Sequence, residues 1–159
     1  MSFIDRILKP GGGKVGWTSV EVTGDGLVGV SLAPPATQGG KPSVVSCGSI
    51  DGASLDPVAL ASLAESVAVS GYGWTVPLDR KSYNILVVEE PSVRPDEMEQ
   101  SVRWAISTMI DYPIADANVS WMKIPTEKLL PNRAPHIYVV ASRREVIDQY
   151  RQVFKQAKL

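Results

Sequence analysis

The chain holds one cysteine and one histidine in 159 residues, and each scarcity closes a class of function. Cys47 has no partner for an internal disulfide, which fits a reducing compartment. His136 alone leaves any zinc set to carboxylates, and no HExxH, CxxC or EF-hand spacing occurs. Charge of one sign is also missing: 16 Lys and Arg stand against 17 Asp and Glu. The cations are scattered, so nucleic acid, which needs a basic face, is not an expected partner. No apolar run approaches the roughly 20 residues of a membrane-spanning helix. The opening "MSFIDRIL" carries Asp5 and Arg6 where a secretory leader has its apolar core. The chain is therefore expected to stay in the cytoplasm, and its own membrane affinity through that short segment is slight. At 44% apolar and 21% charged residues it reads as a folded domain, or two small lobes.

What is present is a regular succession of elements. Residues 1–13 read as a short N-terminal helix, expected over 2–9, and a glycine hinge at Pro10–Gly13. Residues 14–80 read β-β-β-α-β. "VGWTSVEV" and "LVGVSLA" flank an Asp-Gly turn, a hairpin signal, and "SVVSCGSI" is the third strand. Asp56-Pro57 opens an apolar helix that Gly71 stops, and "GWTVPLD" is a short strand. Residues 81–159 read β-α-β-β-α. "YNILVVEE", "NVSWMKI" and "HIYVVAS" are strands, with "PTEKLLPNRAP" as a loop between the last two. Pro95, Asp96, Glu97 and Glu99 open one helix. Ser142 to Glu145 has the spacing of a capping box for the other.

Catalytic chemistry finds little to work with. "PGGGKVG" and "GGKPS" contain Gly-Lys, but neither lies between a strand and a helix as a phosphate loop requires. No GxSxG occurs, and "SCGS" falls inside a strand. Glu89 and Glu90 alternate at a strand end, while Glu97 and Glu99 begin a helix, so no paired carboxylates emerge. His136, at a strand start, reads as an edge-strand residue. No catalytic residue, metal or cofactor is expected.

Aromatic residues are the better clue. Trp17, Trp74, Trp104 and Trp121 are spread over the chain. In the segment "SVRWAISTMIDYPIADANVSW", Met98, Val102, Ala105, Ile106 and Met109 make one helical stripe, the expected core face. Trp104 points more than about 90° away from it. The largest apolar side chain of the segment thus has no place in its own helix's core. Trp and Tyr dominate binding hot spots, so Trp104 leads a candidate partner-binding set with Trp74, Tyr83 and Tyr112. The competing reading is that the tryptophans fill the core and the seam between lobes.

"VEVTGDGLVGVSLA", "WAISTMIDYPIADANVSW" and "IYVVASRREVIDQYRQVFKQAKL" together resemble the actin-like PilM family of type IV pilus assembly. Within it they look like the MSHA-type (MshI) pilus biogenesis proteins, with the cytoplasmic part of type II secretion protein L as a distant relative. The resemblance implies an α/β fold, the actin-like (RNase H-like) first lobe: a β-β-β-α-β half followed by an inserted β-α-β-β-α subdomain. A second lobe would follow Leu159, and the chain reads as a truncated piece or a naturally short relative. The resemblance also implies a non-enzymatic scaffold, peripheral to the cytoplasmic side of the inner membrane. It would bind the N-terminal cytoplasmic peptide of a PilN-like membrane protein, with membrane contact only through partners and homo-oligomerisation as an option.

The family's Asp-x-Gly phosphate motif is degenerate here. Glu21, Val22 and Thr23 occupy its positions, and the glycines are displaced to Gly24 and Gly26 around Asp25. Thr23 hinders close backbone approach to a phosphate, and one lobe supplies half a cleft. The alternative is a nucleotide-binding actin-like ATPase component lacking its second lobe. An RNase H-like nuclease would need several carboxylates converging on metal, where the first strand offers only Glu21.

Overall fold

The computed structural model describes residues 16–37, 40–124 and 134–159. The expected helix over 2–9, the hinge at Pro10–Gly13, Gly39 and residues 125–133 of the long loop lie outside the described residues. The described chain divides into two compact units. One, the sheet-and-helix unit, comprises residues 16–37, 40–77 and 149–159. The other, the central unit, comprises 78–124 and 134–148.

In the sheet-and-helix unit, β1 (Trp17–Thr23), β2 (Gly26–Ala33), β3 (Ser43–Asp51) and β4 (Gly73–Thr75) form a sheet of order β3-β2-β1-β4. β1 and β2 are antiparallel, with Thr23 facing Gly26 across the Gly24-Asp25 turn, as the Asp-Gly signal implied. β4 runs parallel to β1. Helix α1 (Pro57–Val67) begins where expected: the Asp56 carboxylate accepts from the Val58 and Ala59 amides, both at 2.9 Å. It ends earlier than Gly71, because Ala68 already has extended backbone. Gly71 lies in the turn beyond, at φ 83°.

Helix α1 lies on the sheet through Leu60, Leu63 and Val67, which are fully buried with Val20 and Leu27. Close approach depends on β2: a Cβ at Gly29 would come within 3.0 Å of Val67. Ser31 and Ser46 both donate hydroxyl hydrogen bonds to the Val67 carbonyl. Two hydroxyls from the sheet thus satisfy a carbonyl that the end of the helix leaves open. "SCGS" is accordingly structural at Ser46.

In the central unit, β5 (Tyr83–Glu89), β6 (Ala117–Lys123) and β7 (His136–Arg143) form an antiparallel sheet of order β5-β7-β6. Helix α2 (Met98–Ile106) covers one face. Val102 and Ile106 pack there with Ala117, Val119, Ile137, Val139, Ala141 and Tyr112. Arg103 reaches from α2 to the carbonyls of Ile114 and Ala117, at 3.3 and 3.2 Å, and fixes the helix to the start of β6. Short 3-10 turns at Arg80–Ser82 and Ile114–Asp116 precede β5 and β6.

Helix α3 (Arg144–Gln156) follows β7 directly. Its residues through Asp148 belong to the central unit. Those from Gln149 belong to the sheet-and-helix unit, where Val153, Phe154 and Ala157 join the core. The element order β-β-β-α-β then β-α-β-β-α is the expected one.

Three local expectations are corrected. Helix α2 stops at Ile106, so Met109 leaves the helical phase and is exposed. The capping box at Ser142 does not form: α3 starts at Arg144, and the Ser142 hydroxyl donates to the Ser82 carbonyl at 2.8 Å. His136 is the first residue of β7, as expected, but β7 is the central strand of its sheet and not an edge strand. There it is exposed, with Nδ1 2.8 Å from the Ala134 carbonyl.

Candidate partner-binding surface

Trp104 is 81% exposed. The cause is helical phase. Val102 and Ile106, two positions either side, point into the core at 0% exposure, which turns the intervening side chain outward. Helix α2 therefore presents a large aromatic surface to solvent, where burial would remove about 150–250 Å² from water.

The other three residues of the set fall in two places. Trp74 belongs to the core of the sheet-and-helix unit, edge-on to Phe154 with ring centroids 6.0 Å apart. Tyr83 and Tyr112 meet in the central unit, where they line a 550 Å³ pocket that Trp104 does not reach. The Arg80 guanidinium lies 5.3 Å from the Tyr83 ring centroid, and that of Arg143 4.3 Å from the Tyr112 ring centroid. Arg143 also pairs loosely with Asp111 at 3.4 Å. The Tyr112 hydroxyl is buried and has no hydrogen-bond partner among the described residues. Burial pushes its phenol above the ordinary 10.0; the Arg143 charge opposes this and Asp111 adds to it.

The cations of this pocket were not singled out from sequence. "DRKS" and "SRRE" lie about 60 positions apart, and only the β5–β7 register, with Tyr83 opposite Ser142, brings them together. A single sequence carries no signal for that pairing.

The hairpin turn from Thr23 to Gly26, where the resemblance places a degenerate phosphate motif, closes on itself. The Asp25 amide donates to Thr23 Oγ1 at 3.3 Å, and Thr23 Oγ1 donates to the Gly26 carbonyl at 3.1 Å. The Gly52 amide takes the Asp25 carbonyl at 2.7 Å. Gly26, at φ 148°, is required here: a Cβ would lie 2.1 Å from the Ile50 carbonyl oxygen. Nothing approaches the Cβ position of Gly24 within 4 Å, and Glu21 is exposed on β1. Among the described residues no group of His, Cys, Asp and Glu could hold a metal ion. Among them, too, no helix is long and apolar enough to cross a membrane.

These elements make a mixed α/β fold of the actin-like type. Among solved structures, a PilM–PilN type IV pilus biogenesis complex matches with a TM-score of 0.75 at 16% identity, over 92% of this chain and 46% of that one. The cytoplasmic domain of EpsL, an inner membrane component of the type II secretion system of Vibrio cholerae, matches with a TM-score of 0.58 at 15% identity. That match covers 91% of this chain and 54% of that one. The chain thus spans about half the length of the structures it resembles. No protein-family model matches it, and no curated protein does.

Proposed function

We propose that the chain is a non-enzymatic scaffold of type IV pilus assembly, of the MSHA type, held at the cytoplasmic side of the inner membrane by a PilN-like partner. The observation that carries this reading is Trp104: an 81% exposed tryptophan on a fold shared with a PilM found in complex with PilN. An isolated exposed tryptophan contributes little to folding, whereas in an interface it is the commonest kind of hot spot. Tyr83 and Tyr112 contribute less to such a contact, because guanidinium groups lie against their rings. Two features favour a scaffold over the ATPase reading: Thr23 in place of the motif's glycine, and a turn whose polar groups are taken up internally.

The test is isothermal titration of the partner's N-terminal cytoplasmic peptide into the chain. Binding is expected, and Trp104→Ala weakens it at least about 30-fold, the equivalent of about 2 kcal/mol. No heat at high micromolar peptide would end the proposal. Mg-ATP in a thermal-shift assay of the chain joined to a second lobe checks the alternative. A ligand at 100 times its dissociation constant adds about 2.7 kcal/mol to stability, and no shift is expected.

A further inference from the structure

We propose that the pocket formed by Arg80, Lys81 and Arg143 in the central unit binds a phosphate group. Three cations face one carboxylate, Asp111, across its walls. That excess of two positive charges matches the about −1.5 to −2 of a phosphate monoester near neutral pH and exceeds what one carboxylate would balance.

The donors are present and mostly unused. Arg143 gives one N–H to Asp111 at 3.4 Å, and Arg80 gives one to the Tyr83 carbonyl at 3.2 Å. A guanidinium carries five donors. The Lys81 ammonium makes no ion pair among the described residues, where every recorded pair involves other cations. Asp111 is no fixed occupant, since its side chain is 81% exposed and can turn into water.

The receptor is organised in advance. The Tyr83 and Tyr112 rings lie against the two guanidinium groups and restrict their planes before a ligand arrives. The hydrogen bond from Ser142 to the Ser82 carbonyl holds the Arg80–Ser82 turn beside Arg143. Val146, in the first turn of α3, completes the wall. That wall includes the N-terminal turn of α3, so the positive end of the helix dipole adds to the same field. This pocket is separate from Trp104 and does not depend on the scaffold reading.

The same phosphate chemistry is carried by soluble esters and by phospholipid headgroups, and two arms separate them. In the first, sodium phosphate is titrated into the full chain at constant ionic strength, with amide NMR shifts as readout and chloride as reference. Saturable shifts are expected at Ser82, Asn84, Asp111 and Arg143. Lys81→Gln and Arg143→Gln should each weaken binding about tenfold, or about 1.4 kcal/mol, while Lys41→Gln, in the other unit, leaves it unchanged. In the second arm, the chain is sedimented with phosphatidylglycerol vesicles. Sedimentation lost in the same variants, without saturable phosphate shifts, assigns the pocket to a headgroup. Shifts that merely follow ionic strength, with sedimentation indifferent to both variants, overturn the proposal. Should Arg143→Gln fail to fold, Lys81→Gln, which removes an exposed and unpaired charge, carries the test.

Discussion

Trp104 and Ile106 sit two residues apart on α2, and replacing each by alanine separates a surface role from a structural one. Ile106 is fully buried. Removing its side chain loses transfer free energy and leaves a cavity, which costs about 2–5 kcal/mol. Trp104 is 81% exposed, so only about a fifth of its surface leaves water on folding. With about 150–250 Å² at stake for full burial, that fifth is about 30–50 Å², or about 1 kcal/mol at about 25 cal/mol per Å². Alanine returns about half of that through its better helix propensity. The expected cost of Trp104→Ala is therefore under about 1 kcal/mol, against at least about 2 for Ile106→Ala. Urea unfolding followed by far-ultraviolet circular dichroism reads both without using tryptophan emission. A loss above about 2 kcal/mol for Trp104→Ala would refute the reasoning, because the residue would then be part of the core.

Asp56→Ala removes the oxygen that two amides of α1 share, and costs about 1 kcal/mol in the same unfolding assay. Gly26→Ala forces a side chain into a positive-φ position against the Ile50 carbonyl, so a loss of at least about 2 kcal/mol or failure to fold is expected. The Tyr112 phenol is raised above 10.0, so the folded state holds its proton to higher pH than the unfolded state. Its contribution to stability is intact below pH 10.0 and is lost as pH climbs through the raised value. Phenolate absorbance should show one late-ionising group that Tyr112→Phe removes.

The periodic elements were legible in the sequence because each is governed by neighbours along the chain. The Asp-Gly hairpin, the Asp56-Pro57 helix start and the apolar strands all follow from local rules. The exposed flank of α2 was legible for the same reason: Trp104 and the buried stripe belong to one helix. Where α2 ends was not. Ile110 and Tyr112 pack into the core from beyond the helix, and that tertiary demand decides which residues leave helical phase. The Ser142 capping box failed because a cross-strand carbonyl, Ser82, competes for the hydroxyl. The cationic pocket was invisible because its two arms meet only through strand pairing.

The central claim is that Trp104 is a partner-contact residue. The most direct measurement is tryptophan emission during titration with the PilN-like partner's cytoplasmic peptide, in wild type and in Trp104→Phe. A saturable blue shift in wild type that disappears in the variant is the predicted result. No shift, or one of equal size in both proteins, would contradict the claim.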